Sequence, residues 1–144
     1  MNAGPDVTNL YRALRREEIE AGCILIPKSQ KPFRANFRFP VKFPAEFGET
    51  VPHAIRDHQD HGKFPTRGIS TTPFYQRALH YAQHQRRIAR IDVTALSSRG
   101  VKCYRVADFV EPEFIAKPED DEVILVYEDA SDFPDGCIAE VFVV

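Results

Sequence analysis

The chain has 144 residues, a formal net charge of −2, 43% hydrophobic and 28% charged residues. That length suits one domain (residues 1–144) able to bury roughly two-thirds of its unfolded surface, and that composition excludes a disordered chain. The near-neutral charge gives no electrostatic case for nucleic acid as a partner, and no apolar run approaches the ~20 residues of a membrane span.

Residues 1–9 are small and polar, without an apolar signal core, so a cytoplasmic protein, or one exported without a cleavable signal peptide, is expected. Residues 7–13 predict a short first strand. Residues 14–20, crowded with Glu17, Glu18 and Glu20, predict one or two helical turns that Gly22 stops. The apolar run 23–26, closed by Pro27, predicts a buried strand. Residues 28–47 mix Pro, Phe and basic residues without a period and predict a long loop. In 49–62, Val51, Ala54, Ile55 and His58 share one helical face and Gly62 ends the helix.

Gly68-Ile69-Ser70 predicts a short strand. Thr71 or Thr72 then suits an N-cap and Pro73 a first helical position. The helix expected over 74–85 would present Phe74, Ala78, Tyr81 and Ala82 as its stripe. Residues 87–93 and 101–106 predict strands around a Ser97-Ser98-Arg99-Gly100 turn. An acidic, Pro-containing loop (114–121), a β-branched strand (123–127), a turn (132–136) and a last strand (137–144) follow. Helices early and strands late predict an α+β fold: mainly antiparallel sheets with helices packed against them.

Three stations could carry chemistry. Arg12 sits in an apolar strand, where a guanidinium is costly to bury unless it is paired or binds an anion; an edge-strand Arg facing solvent would read the same way. Ser70 closes a middle strand and could orient a carboxylate across a cleft; the plain alternative is a strand–helix junction. Glu122 opens a β-branched strand after Asp120 and Asp121, where a carboxylate can stabilise developing positive charge; a solubilising acidic turn is the alternative.

Other groupings carry less. His80 and His84 are spaced i, i+4, but no third ligand lies near, so no metal is expected. Arg86, Arg87 and Arg90 suit a solvated helix end. Cys23, Cys103 and Cys137 have apolar neighbours and no CxxC spacing, which suits core thiols in a reducing compartment.

In this order, the three stations resemble the signature of the ADP-ribosyltransferase fold family in its Arg–Ser–Glu, cholera-toxin-like form. The matching pieces are Leu10-Tyr11-Arg12, Ser70-Thr71-Thr72 and Asp120-Asp121-Glu122, with Ala78 and Tyr81-Ala82 on the helix after the second. The resemblance spans residues 10–126 and implies split, mainly antiparallel sheets. It implies a mono-ADP-ribosyltransferase, as in toxins and secreted effectors, with NAD as co-substrate, a protein acceptor and no metal. Arg12 would hold the pyrophosphate or ribose of NAD, and the strand at Arg12 and Ala13 would dock the nicotinamide amide. Ser70, with Thr71 and Thr72, would brace the nicotinamide pocket and position Glu122. Glu122 would bind the ribose 2′-hydroxyl and stabilise the oxocarbenium-like transition state. Phe114 and Asp120 would lie in the loop offered to the protein substrate. Two departures stand out: Ala13 where Gly is usual, and Asp120 where the family carries Glu or Gln. The alternatives are an NAD glycohydrolase on the same fold and a non-catalytic relative that binds a nucleotide or a protein.

Overall fold

The computed structural model describes residues 7–27, 68–129 and 132–144. The loop expected over 28–47 and the helix over 49–62 lie outside the described residues.

Strand β1 (Asn9–Ala13) pairs antiparallel with β3 (Arg87–Asp92), which pairs antiparallel with β6 (Ile138–Val143). In the second sheet the central strand β5 (Val123–Val126) lies antiparallel between β2 (Ile69–Thr71) and β4 (Lys102–Arg105). The observed architecture is therefore a mixed one: two three-stranded antiparallel sheets with a few short helices. The sheets meet where Tyr11 and Thr72 exchange both backbone bonds, Tyr11 N to Thr72 O at 2.7 Å and Thr72 N to Tyr11 O at 2.9 Å. That bridge brings the Arg12 strand to the end of the Ser70 strand.

The pleat explains how the core is divided. On β1, Leu10 enters the main cluster with Leu14, Ile69, Ile91, Leu96, Val123 and Leu125, while Tyr11 and Ala13 face a cluster of Ala78, Ala82 and Ile88. Arg12 shares the Leu10 side and so points inward. On β5, Val123 and Leu125 face the main cluster, and Ile124 and Val126 pack with Val106 and Val110. All four β5 residues are buried, as expected of a central strand covered on both faces.

Three local expectations are corrected. Residues 23–26 are no strand. The backbone amides of Cys23 and Ile24 donate to the Glu18 carbonyl, at 2.8 and 3.2 Å, and that of Ile26 to the Glu18 carboxylate at 3.0 Å, so the run wraps the end of helix α1 (Arg16–Glu20) instead of pairing. Helix α2 is Tyr75–Tyr81, with Phe74 at its N-cap and no side-chain cap. Its inward face is Tyr75, Ala78, Leu79 and Ala82; Phe74, which precedes the helix, and Tyr81 are exposed. Residues 93–98 form helix α3 (Val93–Ser98), where a turn was expected only at its end; the Asp92 carboxylate caps it by accepting from Thr94 N at 2.9 Å. Strands β3 and β4 fall in different sheets, with α3 between them in sequence. Among the described residues no helix is long and apolar enough to cross a membrane.

Candidate functional site

Arg12, Ser70 and Glu122 come together where the two sheets join. Arg12 Nη1 donates to the Ser70 carbonyl at 2.8 Å, and the Ser70 hydroxyl donates to the Glu122 carboxylate through a short hydrogen bond. The sheet register accounts for the second contact. Ser70 lies opposite Ile124, so Glu122 is its diagonal neighbour on the same face. The Glu122 backbone is fixed as well, its carbonyl accepting from Val106 N at 2.9 Å.

Behind Arg12 stands Glu18, a residue the sequence reading placed on a crowded helical turn. Its side chain is fully buried and accepts from Arg12 Nε at 3.1 and 3.2 Å and faces Nη2 at 3.0 Å. It also accepts from the backbone amides of Arg15 at 2.9 Å and Ile26 at 3.0 Å. The Arg15 bond is half of a capping box, with Glu18 reaching back to the N-cap amide. A buried carboxylate tolerates desolvation only when it is paired and hydrogen-bonded, and Glu18 is both. Burial pulls the Arg12 guanidinium below the ordinary arginine value, and Glu18 offsets this. A guanidinium has five N–H groups, and these contacts leave one hydrogen on each Nη of Arg12 for a further acceptor.

The other predicted positions divide. The Thr71 hydroxyl donates to the Val123 carbonyl at 2.7 Å. The Thr72 hydroxyl donates to the Asp120 carbonyl at 2.5 Å and accepts from Phe74 N at 3.1 Å. Both hydroxyls therefore tie strands together. The Ala13 side chain turns to the α2 cluster, away from the Arg12 side of the strand. Phe114 ends a 3-10 turn (Pro112–Phe114) and is 59% exposed.

Asp120 is nearly buried. Its carboxylate accepts from Arg77 Nε at 2.6 Å and from the Tyr81 hydroxyl at 2.6 Å. Arg77 also lies 5.6 Å from the Tyr81 ring centre and 3.6 Å from Glu119. The bond to Asp120 is the main influence raising the Arg77 value, and burial first, then Asp120, raises that of the Tyr81 phenol. Asp121 adopts a left-handed conformation (φ 45°, ψ 55°) and is held by Arg105 through Nε at 2.9 Å and Nη2 at 3.3 Å. The sequence singles out Tyr81 only as part of a helical stripe and does not single out Arg77; their i, i+4 spacing on a helix is the signal that pairs them.

The remaining candidates lie elsewhere. His80 stacks edge-on to Tyr81 with ring centres 5.1 Å apart, and no group of three metal-ligating side chains occurs among the described residues. Cys103 and Cys137 are buried; burial pushes the Cys103 thiol up to about 11 and that of Cys137 also up, so neither is activated as a nucleophile.

The arrangement provides a carboxylate oriented by a serine, beside a guanidinium with hydrogens to offer. Such a pair can stabilise positive charge at one point and hold an anionic group at another. The chain matches no protein-family model and no curated protein.

Proposed function

We propose that this protein is a mono-ADP-ribosyltransferase that cleaves the nicotinamide–ribose bond of NAD and passes ADP-ribose to a protein acceptor. The observation that carries the reading is the chain of contacts from Arg12 to Ser70 to Glu122, made by residues 58 and 52 positions apart. In this reading the Glu122 carboxylate, aimed by Ser70, faces the ribose as its glycosidic bond lengthens and positive charge develops. Nicotinamide leaves as a neutral molecule with the bonding electron pair, so no general acid is required. The acceptor nucleophile then bonds to the ribose carbon and loses its proton. Arg12 offers its remaining N–H groups to the phosphate oxygens of NAD while Glu18 keeps the guanidinium plane fixed.

A second reading, an NAD glycohydrolase with water as acceptor, is favoured by the state of Asp120. The resemblance puts the acceptor-directing residue at that position, and here its carboxylate is occupied by Arg77 and Tyr81. The two readings separate in an assay of purified protein with NAD labelled in the adenylate half. Nicotinamide release that needs a protein acceptor, with label appearing on that protein, supports the transferase. Release at full rate without acceptor supports the glycohydrolase. Absence of both removes the enzymatic reading.

A further inference from the structure

We propose that Arg77 and Tyr81, by gripping the Asp120 carboxylate, are positioning residues that set the Glu122 carboxylate against Ser70. The proposal rests on the catalytic reading of Glu122 and adds to it a device on a neighbouring helix.

Each residue of the tripeptide Asp120-Asp121-Glu122 is fastened to a different element. Asp120 is held by α2, through Arg77 and Tyr81, and its carbonyl by Thr72 at 2.5 Å. Asp121 is held by Arg105 of β4 and Glu122 by Ser70 of β2. Only Asp121 separates the clasp from the working carboxylate, and its left-handed backbone makes the sharp turn into β5. With Asp120 fixed on one side and the Glu122 carbonyl bonded to Val106 N on the other, the Glu122 Cα has little room to move.

The two donors of the clasp sit at the rim, while the Asp120 carboxylate they hold is buried. The Arg77 side chain is 27% exposed and Tyr81 is 47% exposed. An ion pair whose guanidinium reaches water adds less to stability than a fully interior one, and Tyr81 contributes its hydroxyl more than buried ring area. Electrostatic stabilisation of a transition state, by contrast, requires the charged group to be placed within a fraction of an ångström. Loosening the clasp should therefore reduce turnover far more than it reduces stability.

The test compares wild type with Asp120→Asn, Tyr81→Phe and, as a control on the exposed side of the same helix, Gln76→Ala. Four quantities are measured: kcat and KM for nicotinamide release from NAD, melting temperature, and the 13C resonance of the selectively labelled Glu122 carboxyl. A misplacement near 1 Å costs about 10²-fold in rate, so Asp120→Asn should lower kcat by about that factor and Tyr81→Phe by about 3–10-fold. KM for NAD and the melting temperature should barely change, the Glu122 resonance should move in both variants, and Gln76→Ala should match wild type. An unmoved Glu122 resonance in Tyr81→Phe and Asp120→Asn overturns the proposal, whether kcat holds or falls together with the melting temperature. Should Asp120→Asn fail to fold, Tyr81→Phe decides alone. Should wild type release no nicotinamide, the enzymatic reading fails by itself and the resonance still decides whether the clasp positions Glu122.

Discussion

Two carboxylates flank the Ser70–Glu122 contact, and each is held by an arginine, but they are held in different surroundings. Glu18 is fully buried, with the Arg12 fork and two backbone amides around it. Asp120 is buried too, but its partners lie at the rim: a partly exposed arginine and an exposed tyrosine. The inner pair orders the chain from Arg15 to Ile26 and fixes the plane of Arg12; removing either partner strands a charge in the interior. The donors of the outer pair reach water, so it costs less to open than the inner pair. One site thus contains an ion pair whose loss should damage the fold and another whose loss should damage geometry, so stability and turnover can be varied separately.

The largest expected effect is on the inner pair. Arg12→Ala leaves Glu18 buried without its counter-charge, and breaking such a pair typically costs about 3–5 kcal/mol. Chemical denaturation should show this loss directly. Arg12→Lys should also lower the denaturation midpoint, because a point charge cannot meet Glu18 and the Ser70 carbonyl at once as the fork does. A midpoint unchanged in both variants would show that the inner pair carries no structural weight and would erase the contrast with Asp120.

A second interior group extends the comparison to pH. Burial raises the Cys103 thiol from 9.0 to about 11. The unfolded chain therefore gives up this proton first. Between pH 9 and 11 the unfolded state binds fewer protons than the native one, so stability falls as pH rises through this window and is fully retained below it. The loss attributable to Cys103 is roughly 2–3 kcal/mol. Denaturation curves across pH 8–11 should be steeper in wild type than in Cys103→Ala; equal slopes would place the thiol in contact with water.

The smallest effect on stability belongs to Phe114, 59% exposed beyond the rim. Phe114→Ala should leave the melting temperature almost unchanged, since surface substitutions usually fall within about 0.5 kcal/mol. It should raise the apparent KM for a protein acceptor and spare nicotinamide release to water, because exposed aromatics anchor interfaces. A large melting shift would return Phe114 to the core.

The strands were legible in the sequence where side chains alternate or cluster by type. Leu10 and Arg12 on one side of β1 with Tyr11 on the other, and the β-branched run of β5, give a two-residue period or a short buried run. Arg12 is legible as a candidate because a guanidinium is costly in an apolar strand, and Ser70 and Glu122 because a hydroxyl and a carboxylate stand at the end of one strand and just before another. Glu18 was not. A glutamate beside Glu17 and Glu20 reads as a solvated turn, and its partners are two backbone amides and an arginine whose approach depends on tertiary structure. The same carboxylate explains why the apolar run 23–26 bends around a helix end instead of entering a sheet. The α2 stripe was legible in part: Ala78 and Ala82 face inward, but Phe74 precedes the helix and Tyr81 turns its hydroxyl to Asp120. Helix α3 was missed because its start lies directly on a strand end, where Asp92 serves both elements.

The most direct measurement is nicotinamide release from NAD by wild type and by Glu122→Gln, alongside NAD affinity by calorimetry. The substitution keeps the shape and a hydrogen-bond acceptor for Ser70 and removes the charge. If that charge stabilises the cationic ribose, turnover should fall by about 10²–10³-fold while affinity stays within a few-fold. A Glu122→Gln protein that keeps more than half of wild-type turnover would show that the carboxylate aimed by Ser70 is not the group on which the chemistry depends.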